Sequence, residues 1–85
     1  MVRMVADERD VKIGLMCRQL RRVLNLKQGE LGALWGVTQE AVCQREKGKI
    51  KIPTRDLYQL ARLGGVKVED LNSGVGEFFI GKYYD

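Results

Sequence analysis

Residues 28–47 constrain the fold more than any other stretch, because two short amphipathic segments meet there across a single glycine. Leu31 and Trp35 are four apart, so a helix places them on one face, with the small Gly32 beside them. Gly36 stops that segment, Val37 is apolar, and Thr38 stands where a hydroxyl oxygen can accept from the free N–H groups of a following helix. The pattern predicts a helix over 28–35 and another over 38–47. Two helices on so tight a turn cross steeply, which requires a small residue at the crossing, and Gly32 supplies it. Leu31, Trp35, Val37 and Val42 then form the shared apolar seam, and Gln39, Glu40, Cys43, Gln44 and Lys47 face outward.

The flanking segments supply the rest of a small helical domain. Asp7, Glu8 and Asp10 crowd a helix start, where the macrodipole favours them, and Ile13, Cys17, Leu20 and Leu24 recur at helical spacing over about 8–24. Asn25 follows at a position suited to a left-handed closing residue, and Leu26 turns inward. Gly48 closes the third helix, Lys49 to Ile52 form a basic loop, and Pro53 suits the start of a fourth helix. Leu57, Leu60, Ala61 and Leu63 are expected on its buried face, and Gly64 with Gly65 ends it. Val66, Val68 and Leu71 suggest a short fifth helix over 67–72. The division expected is 1–9 as an N-terminal arm and helix start, 10–73 as the domain, and 74–85 as a tail. That tail carries four of the six aromatic residues, and reads as either a strand or a hydrophobic segment that needs a surface to cover it.

At 85 residues there is room for one domain. The chain contains no His and a single Ser, so the common nucleophile-plus-base pairs are missing, and Cys17 and Cys43 are too far apart for a CxxC site. We therefore expect no enzyme, no metal and no cofactor, with both cysteines structural or incidental. No apolar run approaches the roughly 20 residues of a membrane helix, and the first residues lack the apolar centre of a signal peptide, so a cytoplasmic protein without a membrane partner is expected. Charge is more informative. Residues 12–55 hold ten Lys/Arg against Glu30, Glu40 and Glu46, a balance of +7, whereas the flanks hold five basic and eight acidic residues, a balance of −3. Positive potential concentrated on the central half points to a polyanion partner.

Taken together, these residues resemble the lambda-repressor-like helix-turn-helix group of phage repressors, Cro proteins and small bacterial regulators. The resemblance spans about residues 11–72. It rests on Leu20-Arg21, Leu26 before Gln28, Leu31 with Gly32, Gly36-Val37-Thr38-Gln39, Val42, Glu46 before Gly48, Pro53, and Leu57 with Leu60-Ala61. It implies an all-α, compact five-helix domain working as a homodimer on partly palindromic double-stranded DNA. Three positions depart from the group: Lys27 stands where Ser or Thr usually caps the second helix, Gly32 replaces the more usual Ala, and Arg45 occupies a normally apolar position. A long Arg stem can cover apolar surface while its head reaches water, which is the arrangement expected for Arg45.

In that geometry the start of the recognition helix meets base edges, so Gln39, Glu40, Cys43 and Gln44 are the expected base readers. Glu40 could equally serve to stabilise the helix N-terminus. Gln28 and Thr38 at helix starts, with Lys47, Lys49, Lys51 and Thr54, are the expected phosphate contacts. Arg21 and Glu46 are similar to a pair that, in this group, links the first helix to the end of the third. The reading is a transcriptional regulator, chiefly a repressor. The alternative is an antitoxin that regulates its own operon and binds a toxin through the tail; an anti-repressor is another protein partner of the same kind. Phe78, Phe79, Ile80, Tyr83 and Tyr84 would build the dimer, bind such a partner, or fold back on their own domain.

Overall fold

The computed structural model describes residues 8–69, which contain four helices: α1 (Glu8–Val23), α2 (Gln28–Trp35), α3 (Gln39–Glu46) and α4 (Thr54–Gly64). Helix α2 packs on α3, and α1 packs on both α3 and α4. Five helices were expected; the described residues hold four complete ones, and of the expected 67–72 helix Lys67, Val68 and Glu69 fall within them, Lys67 outside a helix and Val68 and Glu69 helical. Residues 1–7 and 70–85 lie outside the described residues, so the arm and the aromatic tail do too.

Local chemistry accounts for the helix ends. Asn25 takes a left-handed φ of 60°, and the Leu26 N–H returns to the Arg21 carbonyl at 3.0 Å, closing α1 where the sequence placed its end. Lys27 cannot accept a hydrogen bond through its ammonium. Glu30 makes the reverse half of a capping box instead, its Oε1 accepting from the Lys27 N–H at 2.7 Å. Thr38 Oγ1 accepts from the Ala41 N–H at 3.1 Å, which caps α3 as expected. Gly36, at φ 74°, makes the turn between them, and the Val37 N–H bonds the Gly32 carbonyl at 2.8 Å.

The core is Ile13, Met16, Cys17 and Leu20 from α1, Leu31 and Trp35 from α2, Val42 from α3, and Leu57, Leu60 and Ala61 from α4; Val37 packs at its edge. Leu63 is not part of it. Successive helical residues turn by about 100°, so the arc centred on Leu57, Leu60 and Ala61 leaves Leu63 half exposed. It lines an apolar groove between α2 and α4 with Leu34 and Trp35.

Candidate nucleic-acid interface

Helix α3 has little apolar surface with which to bury itself. Val42 is its one fully buried aliphatic residue, and the rest of its inner face is Arg45 and Glu46. Both charges are paired. Arg21 Nε donates to Glu46 Oε2 at 2.6 Å and Arg21 Nη2 to Glu46 Oε1 at 3.2 Å, while Arg21 Nη1 donates to the Leu26 carbonyl at 2.8 Å. Gln28 Nε2 adds a bond to Glu46 Oε1 at 3.1 Å. The pair thus ties α1, the α1–α2 turn and the first residue of α2 to the end of α3. The resemblance implied this link between Arg21 and Glu46; Gln28 as its third member was not foreseen. With one amide proton on Glu46, Gln28 keeps its second amide proton and its backbone N–H for the phosphate contact expected of it.

Arg45 departs from expectation. Its head does not reach water: Nη1 donates to Asp56 Oδ2 at 2.8 Å, and the guanidinium carbon lies 5.0 Å from the centre of the Trp35 ring. Trp35 Nε1 donates to the Asp56 carbonyl at 3.0 Å. Asp56 lies in the first turn of α4, where the helix dipole favours a carboxylate, so Arg45, Trp35 and Asp56 join α3, α2 and α4. Nothing in the spacing of Arg45 and Asp56 signalled a pair, because it forms only once α3 and α4 have docked. Cys17 lies fully buried nearby; burial pushes its thiol up to about 12, with Glu46 acting in the same direction and Arg45 opposing.

Held in this way, α3 turns a polar face outward. Gln39, Glu40 and Lys47 are exposed, and Cys43 and Gln44 are half-buried. Gln28, Gln39, Glu40 and Cys43 line one shallow hollow, which brings three of the four expected base readers beside the start of α2; Gln44 lies outside it. Gly32 sets how closely the two helices approach, since a Cβ there would come within 2.7 Å of the Val37 carbonyl oxygen. The glycine that stands in place of the usual Ala is therefore demanded by this turn. Thr38, Lys49 and Thr54 are exposed, and Lys51 is too, with its ammonium 3.9 Å from Asp10.

A similar fold is found in a solved structure, that of the restriction-modification controller protein C.AhdI from Aeromonas hydrophila. The two share 28% sequence identity at a TM-score of 0.61, over 72% of this chain and 88% of that one. The chain carries a lambda-repressor-like helix-turn-helix. No protein-family model and no curated protein sequence matches it. Within the helix-turn-helix, α2 is the supporting helix and α3 is the helix whose outer face no described residue covers. No metal-binding cluster of His, Cys, Asp or Glu occurs among the described residues, and no described helix is long and apolar enough to cross a membrane.

Proposed function

We propose that the chain is a sequence-specific, duplex-DNA-binding transcriptional regulator that inserts α3 into the major groove. The observation that carries this reading is the division of α3 into an inner face locked by two ion pairs and an outer face of Gln, Glu, Cys and Lys side chains that pair with nothing among the described residues. A rigidly held polar helix face is what reading base edges requires. The similarity to a restriction-modification controller supports a regulatory role of the same kind, in the cytoplasm and without catalysis. Gln39 and Gln44 are the side chains we assign to paired bonds with adenine N6 and N7, and Glu40 and Cys43 complete the reading face. Gln28, Thr38, Lys47, Lys49, Lys51 and Thr54 supply backbone contacts that fix register.

The finer reading is a repressor acting as a homodimer on a palindromic operator, its recognition helices about 34 Å apart. The apolar groove of Leu34, Trp35 and Leu63 supports self-association, because such surface is costly to leave in water. Sedimentation of the whole chain and of a chain ending at Gly76 tests this; a monomeric whole chain would remove the dimer from the reading.

Titration of duplex DNA at 50 and 200 mM salt tests the central assignment. A dimer neutralising about 6–10 phosphates should lose roughly a thousandfold or more in affinity across that range. A flat salt dependence, or no binding at low salt, would contradict it.

A further inference from the structure

At the margin of the face already assigned to DNA, a second hollow of about 190 Å³ opens where α1, the start of α2 and the outer face of α3 meet, lined by Arg18, Gln28, Cys43, Glu46 and Lys47. Its charge follows from the bonds around it. Glu46 is the only carboxylate in the lining, and both its oxygens are occupied, Oε2 by Arg21 and Oε1 by Arg21 and Gln28. Arg18 and Lys47 are exposed and enter no ion pair among the described residues, so the hollow presents two uncompensated cations.

The backbone explains why these two cations converge. A Cβ on Gly14 would come within 2.8 Å of the Glu46 carbonyl oxygen, so only glycine lets α1 lie directly against the end of α3. Arg18 is one turn beyond Gly14 on the same side of α1, and Lys47 is the residue next to Glu46. A small residue in α1 thus brings a guanidinium from one helix beside an ammonium from another, at the margin of the base-reading face.

We propose that Arg18 and Lys47 together seat one backbone phosphodiester of the duplex, Arg18 by its planar N–H fork and Lys47 as a point charge, with Gln28 held on Glu46 at the floor of the site. This rests on the DNA-binding reading and adds a contact from α1, a helix to which that reading gives no role at the DNA. Sharing a single phosphate makes the two cations act as one contact.

The test measures the slope of log affinity against log salt on one duplex for the whole chain, Arg18→Gln, Lys47→Gln, the double variant, and Arg62→Gln on α4 as a control charge removal. Arg18→Gln should lower the slope by about 0.9 for each subunit on the duplex, so that its affinity falls about three- to fourfold less per subunit than that of the unaltered chain between 50 and 200 mM salt. Its base preference and melting temperature should be unchanged. The double variant should lose less than the sum of the single ones, and Arg62→Gln should leave the slope alone. An unaltered slope in Arg18→Gln while the parent binds duplex would overturn the inference alone, as would equal loss in Arg62→Gln or strict additivity of the pair. A parent chain that binds no duplex would overturn both the reading and the inference.

Discussion

The two ion pairs that hold α3 sit on consecutive residues, yet they are built differently. Arg21–Glu46 is saturated: both carboxylate oxygens and three guanidinium nitrogens are bonded, with the Leu26 carbonyl and the Gln28 amide completing the network. Arg45–Asp56 has one side-chain hydrogen bond, a Trp35 ring beneath the guanidinium, and a buried Arg45 Nε with no partner among the described residues. Taking two charges out of water costs several kcal/mol per ion, and only a fully satisfied geometry offsets that. The first pair should therefore stabilise the fold more than the second, whose expected role is to fix where α3 lies against α4.

The largest expected effect comes from breaking the saturated pair. Glu46→Ala strands two Arg21 donors and the Gln28 amide, and Arg21→Ala strands the carboxylate; each should cost about 3–5 kcal/mol in denaturant unfolding. Arg45→Ala should cost less than either, since Asp56 keeps the favourable field of the α4 N-terminus. A larger loss from Arg45→Ala would reverse the comparison.

Replacing both partners sharpens it. Arg45→Met with Asp56→Leu should be neutral or raise stability by about 1–4 kcal/mol, as an incompletely bonded pair gives way to apolar packing. Arg21→Met with Glu46→Leu should lower stability, because the Leu26 carbonyl loses its donor and Gln28 its acceptor. Equal outcomes would mean that saturation is not what separates the pairs. If the second pair serves position, its apolar replacement should also weaken base discrimination while the protein stays folded.

Cys17 reports on both pairs with the smallest effect. In the fold its thiol stays protonated to about pH 12, whereas the unfolded chain ionises near its ordinary value of 9.0. The unfolded chain then holds fewer protons than the fold, so this group's contribution is intact below pH 9 and is lost progressively as pH rises from 9 towards 12. Cys17→Val should flatten that alkaline slope of melting temperature. Glu46→Gln should narrow the gap and Arg45→Met should widen it, because the two charges shift the thiol in opposite directions. Identical slopes in the two variants would show that neither charge reaches it.

The contrast between the pairs also marks what the sequence could reveal. Thr38 as a cap, Asn25 in a left-handed conformation and the ends of α2 and α3 were legible because local chemistry decides them within four residues. Arg21–Glu46 was legible only through resemblance, being 25 positions apart. Arg45–Asp56 and the Gly14 crossing had no local signal, since both arise from helices meeting, and an Arg at an apolar position reads equally well as a chain bent towards water. Leu63 was misplaced for a related reason: helical spacing gives a face but not its width, and α4 buries Asp56 where a wider apolar stripe would have included Leu63. Of the candidate site, the outward residues of α3 followed from periodicity, but Gln28 as a partner of Glu46 and Arg18 as a neighbour of Lys47 depended on tertiary approach.

The central claim is that the outer face of α3 reads base sequence. Selection of bound sites from a pool of random duplexes by the whole chain tests it most directly. The account predicts enrichment of a recurrent sequence, with Gln44→Ala relaxing one position of it at a cost of about 1–3 kcal/mol. A folded protein that enriches no sequence, or a Gln44→Ala variant that selects an identical one with affinity lowered equally for every duplex, would contradict it.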